Sequence, residues 1–275
     1  MENARKAGSV GFLVASFANI SLRHCAIFDF IRVFLSMNHC SNIAKWIDVS
    51  AVRANSTEDE VRQTLQVAVE YGCLAVFSLP CFTPVLSDLI AEIPRDEYCP
   101  VLGGAVGFPG GGELTSMKTA QARELLDYGC SELDMVINVG FMKSGWYAKT
   151  RDDIRAVKQT IGSVPLKVIL ECHYLSDDEI RHAAELAVEA GADWVKTSTG
   201  WAPTGATFEN VALIKKTVGN SARVKASGGV RDLQTLLKMA DLGVERFGIG
   251  CRTVVAILEE YMRIRELEQE PHYAG

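Results

Sequence analysis

From Ile43 onward two kinds of apolar pattern alternate along the chain. Short, nearly continuous apolar runs read as strands buried on both faces. Between them lie longer stretches with apolar positions three and four apart, which read as amphipathic helices. The predicted strands are Ile43–Asp48, Leu74–Leu79, Val101–Val106, Glu132–Asn138, Leu166–Glu171, Trp194–Thr197, Arg223–Ala226 and Arg246–Ile249. The predicted helices start near Ser56 and then run Thr83–Ile93, Ser116–Tyr128, Arg151–Ile161, Ser176–Ala190, Phe208–Val218, Asp232–Leu242 and Thr253–Leu267. Ser56-Thr57-Glu58-Asp59 supplies an N-cap and early acids to the first helix. Strict alternation implies a parallel sheet covered by helices. Eight such units of roughly 30 residues imply a closed (β/α)8 TIM barrel. The alternative is an open doubly wound sheet, which the missing GxGxxG after the first strand disfavours.

Residues 1–36 do not share this pattern. Gly11–Leu22 is apolar, but Arg23, Asp29 and Arg32 bring charge into and beside Ala26–Leu35. No run approaches the about 20 apolar residues that a membrane span needs. Arg5 and Lys6 precede a weakly apolar stretch, which is poor material for a signal peptide. The expected division is an N-terminal extension over 1–36, accessory or upstream of the true start, a barrel over 37–267, and a tail over 268–275.

Side chains alternate across a strand, so each predicted strand can be read for its two faces. With Lys196 inside the barrel, Trp194 and Ser198 share the interior, and Val195 and Thr197 face the helices. By the same rule Lys167 and Glu171 separate from Val168 and Leu170. Glu132, Asp134 and Asn138 separate from Leu133, Met135 and Ile137. Arg223, Lys225 and Ser227 separate from Val224 and Ala226. Four successive strands therefore aim charge at one interior, where barrels normally hold Val, Ile and Leu. A structural ion-pair cluster is the bland explanation. Buried ion networks are weak stabilisers, however, so this density of charge points to chemistry.

Composition narrows the classes. The chain has 275 residues, 48% hydrophobic and 23% charged, which suits one globular domain of barrel size. A net charge of −6 argues against a nucleic-acid surface. Eight scattered cysteines without a CxxC pair read as reduced thiols of a cytoplasmic protein. A metal enzyme on this barrel needs several His and carboxylate ligands at strand ends, and only His173 is so placed.

With the elements in place, several motifs carry a resemblance. They are Ile47-Asp48, Gly107-Phe108-Pro109, Glu132-Leu133-Asp134-Met135-Val136-Ile137-Asn138, Leu166-Lys167-Val168-Ile169, Val195-Lys196-Thr197-Ser198-Thr199-Gly200 and Lys225-Ala226-Ser227-Gly228-Gly229-Val230-Arg231. In order and spacing, about Ile43 to about Glu260 resembles the deoxyribose-phosphate aldolase family, class I aldolases on a TIM barrel. The resemblance implies reversible cleavage of 2-deoxyribose 5-phosphate to acetaldehyde and glyceraldehyde 3-phosphate, with no metal and no cofactor. It implies Lys196 as the Schiff-base lysine, Lys225 as the second lysine that perturbs it, and Asp134 as the acid–base carboxylate acting through a water. Lys167, Asp48 and Thr199 match supporting positions. Partners are then a sugar phosphate and an aldehyde, with no nucleic acid or membrane, in a homodimer or higher homo-oligomer.

The residue types suit that chemistry. A nucleophilic amine must be neutral, and bringing a lysine from about 10.4 to about 7 takes roughly 4 kcal/mol. A like charge at about 4 Å supplies about that much at an effective dielectric of 20, so Lys225 is expected to provide most of the shift, with burial adding to it. Three segments depart from the family. Where the family carries two adjacent phosphate-binding serines, Phe247-Gly248-Ile249-Gly250-Cys251-Arg252 has Gly250 and Cys251, with Arg252 as the residue able to compensate. Trp201 follows the Thr-Ser-Thr-Gly motif, and Val49-Ser50-Ala51-Val52-Arg53 replaces a threonine-rich segment. Gly228 and Gly229 remain as phosphate-loop candidates ahead of a helix. The rival readings are a Schiff-base aldolase for another aldehyde or keto donor, and a non-enzymatic barrel, whose mark would be loss of the lysines.

Overall fold

The computed structural model describes residues 42–269. Eight strands form a closed barrel: β1 (Ile47–Ala51), β2 (Ala75–Ser78), β3 (Val101–Val106), β4 (Glu132–Val136), β5 (Leu166–Ile169), β6 (Trp194–Lys196), β7 (Arg223–Ser227) and β8 (Arg246–Gly250). Each is parallel to its neighbours, and β8 returns to β1. The covering helices are α1 (Glu58–Tyr71), α2 (Thr83–Ala91), α3 (Thr115–Asp127), α4 (Tyr147–Ile161), α5 (Asp177–Glu189), α6 (Phe208–Val218), α7 (Leu233–Asp241) and α8 (Cys251–Gln269). All eight strands lie in one compact unit, Asn42–Glu259. The expectations for residues 1–36 and for most of the tail lie outside the described residues. Among the described residues no helix is long and apolar enough to cross a membrane.

The outward face of the strands is a dry apolar layer. Leu133, Met135, Val168, Val195 and Val224 are fully buried, which is the alternation read from sequence. Their charged neighbours in the chain therefore turn inward. Register then sets Asp134 beside Lys167 and Lys196 beside Lys225.

Several boundaries differ from expectation, each for a local reason. The first strand starts at Ile47, because Ile43–Trp46 forms a 3-10 turn whose cap, Asn42, accepts the Ala44 N–H at 3.0 Å. Thr57, not Ser56, caps α1, and its hydroxyl accepts the Glu60 N–H at 3.3 Å. Ser56 instead accepts the Arg53 N–H at 3.1 Å and turns the preceding loop. Both are good capping residues, and only the chain path decides between them. β4 ends at Val136, because Asn138 caps a short helix, Val139–Lys143. β5 ends at Ile169, and Glu171 adopts a left-handed backbone at φ 56°. Ser176 caps α5 with a reciprocal Glu179 contact.

Glycine decides the shape of the interior at one place. Gly103 on β3 lies opposite Phe77 on β2, and a Cβ there would meet the phenyl ring at 2.1 Å. The Phe77 ring can lie across the barrel only because that side chain is absent.

Candidate active site

The inward faces of β1, β4, β5, β6, β7 and β8 meet in one charge network. Lys196 donates to Asp134 at 2.7 Å. Lys225 donates to Asp134 at 2.7 Å and to Asp48 at 2.6 Å. Lys167 lies 2.8 Å from Glu132 and 3.2 Å from Asp134, at ion-pair distance without hydrogen-bond alignment. Arg246 donates to Asp48 at 2.7 Å and to Glu132 at 3.2 Å. The Phe77 ring lies 4.5 Å from the Lys225 ammonium and 5.0 Å from that of Lys167, within cation–π range.

Three carboxylates thus face four cationic groups. Loss of one proton balances the network, and Lys196 is the group placed to lose it. Lys225 and Lys167 each lie against two carboxylates, whereas Lys196 has one. Burial is the largest influence on Lys196 and lowers its pKa. Asp134 opposes that, Lys225 assists it, and the amine falls to about 8. Burial therefore leads and Lys225 assists, the reverse of the order expected from sequence. For Lys225 burial pulls downward, but Asp134, Asp48 and Glu132 outweigh it and hold the ammonium above its ordinary value. Burial likewise works to raise Asp134, yet Lys167, Lys196 and Lys225 hold it well below the usual carboxylate range. Asp48 is lowered by Lys225, Lys167 and Arg246 against the same burial.

A narrow cavity, open on one side, reaches this network. Lys196, Lys225, Asp134 and Asp48 line it, and Ser50, Val52, Phe108 and Thr199 form part of its wall. Lys167 is fully buried beneath, touching the carboxylates but not the cavity. Thr199 is held by Glu171, whose carboxylate accepts its hydroxyl and its N–H. Glu171, placed on the interior face by parity, leaves the strand pattern and serves as this anchor.

The residues expected to hold phosphate are distributed differently. Gly228 and Gly229 have φ of 71° and 118°, and Gly228 packs against Gly200 and Gly205. A Cβ on Gly205 would lie 1.7 Å from the Gly228 carbonyl, so the loops after β6 and β7 touch backbone to backbone. Gly250, Cys251 and Arg252 line a separate polar hollow with Arg53 and Gln63. Cys251 is buried and its Sγ lies 3.9 Å from the Gln63 carbonyl, while Arg252 is exposed. Arg246 is the main residue absent from the sequence assignment. The alternation of Arg246, Gly248 and Gly250 with Phe247 and Ile249 carries the signal that points it inward. Among the described residues no group of three His, Cys, Asp or Glu side chains could hold a metal ion.

Comparison with known proteins agrees with this geometry. The model of the DeoC/LacD family of aldolases matches residues 45–256. A deoxyribose-phosphate aldolase of Klebsiella pneumoniae is 44% identical over 86% of this chain and 92% of its own. The solved structure of QR15, an aldolase, superimposes with a TM-score of 0.75 at 35% identity, covering 84% of this chain and all of that one. A tetrameric deoxyribose phosphate aldolase of Aeropyrum pernix gives 0.70 at 27% identity, over 80% of this chain and 91% of its own. The barrel that carries these lysines and carboxylates belongs to the DeoC/LacD family, and the chain is an aldolase.

Proposed function

We propose that this aldolase cleaves 2-deoxy-D-ribose 5-phosphate reversibly to acetaldehyde and D-glyceraldehyde 3-phosphate, through a Schiff base on Lys196. One observation carries the assignment of the lysine. Of the three interior lysines, Lys196 alone has a single carboxylate partner; it lines the cavity, and burial lowers its pKa to about 8. The substrate follows from the curated relatives named for it.

In this reading the neutral Lys196 amine attacks the aldehyde carbon C1 of the open-chain sugar, and loss of water leaves an iminium. The C3 hydroxyl then gives up its proton and the C2–C3 bond breaks. Its electron pair enters the enamine, and glyceraldehyde 3-phosphate leaves. A proton returns to C2, and water hydrolyses the acetaldehyde iminium to free the lysine. Asp134, 2.7 Å from Lys196, is placed to move these protons through a bound water. Lys225 keeps its charge beside Lys196 and disfavours a second charge there. Lys167 and Asp48 hold the carboxylate and ammonium partners in place, and Thr199 shapes the wall. Gly228 and Gly229 follow β7, and Gly250 ends the adjacent strand β8; their N–H groups are the proposed phosphate donors.

Borohydride reduction in the presence of acetaldehyde tests the assignment. The expected product carries a two-carbon adduct on the peptide holding Lys196. An adduct confined to Lys225 or Lys167 defeats it. Further proposals are a homo-oligomeric state, in line with the tetrameric relative, and a cytoplasmic location, in line with the unpaired thiols of the described cysteines. The barrel is proposed to need no residue before Met37. A chain starting there is expected to keep its turnover, and insoluble protein would refute this.

A further inference from the structure

The indole of Trp201 joins three loops that border the cavity. Its Nε1–H donates to the Val52 carbonyl at 2.6 Å, reaching the loop after β1. Its ring meets Phe108, in the loop after β3, edge to face at 6.1 Å. Its backbone N–H donates to the Thr199 hydroxyl at 3.0 Å, within its own loop after β6. That hydroxyl is in turn bound by Glu171 beyond β5. Val52, Phe108 and Thr199 all line the cavity. Trp201 is 43% exposed, so it stands at the rim rather than on the floor.

Both ends of the indole are engaged, one by a hydrogen bond and one by a ring contact. The reacting carbons must lie near Lys196, on the inner side of the cavity. Val52 and Phe108 belong to the lining beyond them.

We propose that Trp201 is a positioning residue for specificity. It clasps the β1 and β3 loops into the walls that receive the distal half of the substrate, the part released as the acceptor aldehyde. It does not serve the donor carbons bound to Lys196. This inference rests on the aldolase reading above.

Two rates separate the halves of the site. Exchange of the methyl protons of acetaldehyde with solvent deuterium uses only Lys196 and its proton relay. Cleavage of 2-deoxyribose 5-phosphate also needs the distal subsite. Trp201→Phe keeps the ring against Phe108 and removes the hydrogen bond to Val52, whereas Trp201→Ala removes both. The ratio of kcat/KM for cleavage to the exchange rate is expected to fall about fivefold in the Phe variant, the effect of one neutral hydrogen bond. A fall of about thirtyfold is expected in the Ala variant, where the aromatic contact is lost as well. The loss should reside mainly in KM. Cleavage and exchange falling together, with a constant ratio, would assign Trp201 a merely structural part and overturn the proposal. An unchanged ratio with unchanged rates would overturn it equally. If the parent shows no acetaldehyde exchange, the proposed reaction through acetaldehyde fails and the clasp with it, an outcome visible before any variant is made.

Discussion

Two buried lysine–aspartate pairs of equal length make different use of the same residues. Lys118 on α3 bonds Asp153 on α4 at 2.7 Å, outside the barrel wall. Lys196 on β6 bonds Asp134 on β4 at 2.7 Å, inside it. The outer pair is closed: Thr115 donates to Asp153 at 2.7 Å, and Lys118 donates again to the Val136 carbonyl at 3.1 Å. The inner pair shares Asp134 with Lys225 and Lys167, within a network holding one cation more than it has carboxylates. It also borders a cavity. In the proposed reading, burial and pairing alone do not make a reactive lysine, whereas a surplus of positive charge and an open side do.

The two pairs part most sharply on replacement of each lysine. Lys196→Met is expected to lower cleavage by about four orders of magnitude or more, as loss of a covalent nucleophile does. The same variant should be more stable than the parent at pH 7. Lys196 has a pKa of about 8 in the fold against about 10.4 unfolded, so the unfolded chain binds more protons between those values. Stability linked to this group therefore rises with pH through that window, and below pH 8 the group destabilises by on the order of 3 kcal/mol. Urea midpoints at pH 7 and pH 10 would check both signs. Lys118→Met should do the opposite. It leaves Asp153 buried and unpaired, costs about 3–5 kcal/mol, and spares the turnover of the molecules that stay folded. Equal stability losses in the two variants would erase the distinction.

Lys225→Leu sharpens the part played by surplus charge. Lys225 lowers the Lys196 pKa, so its loss should move the basic-side rise of the pH–rate profile upward. Cleavage near neutrality should slow by about tenfold for each unit of that displacement. The displacement should be partial, because burial remains the leading influence. An unchanged profile with a higher KM would assign Lys225 to substrate binding instead.

The smallest effect is expected at the end of β8. Gly250→Ser adds a hydroxyl where a new Cβ meets nothing within 4 Å, so kcat/KM for the phosphorylated sugar should rise about tenfold over that for deoxyribose. Cys251→Ser should add little, because the Cys251 side chain is buried against the Gln63 carbonyl, which would take up a serine hydroxyl. Serines that change neither ratio would mean that the phosphate loop already works without them.

Much of the barrel could be read from the chain, because strand alternation is a local property. Val168 and Lys167, or Val224 and Lys225, point to opposite faces wherever the strand lies, so the inward charges could be named before any contact was seen. The Ser176–Glu179 capping box is equally local. What only the tertiary structure decided depends on distances between segments far apart in sequence. The sharing of Asp134 among Lys167, Lys196 and Lys225 needs four strands in register. So does the entry of Arg246, which reaches Asp48 across 198 positions of chain. The Lys196 pKa follows from that arrangement, since burial and partner count are properties of the closed barrel. The same holds for the indole of Trp201, whose partner Val52 lies 149 positions earlier and becomes a neighbour only when β8 closes on β1.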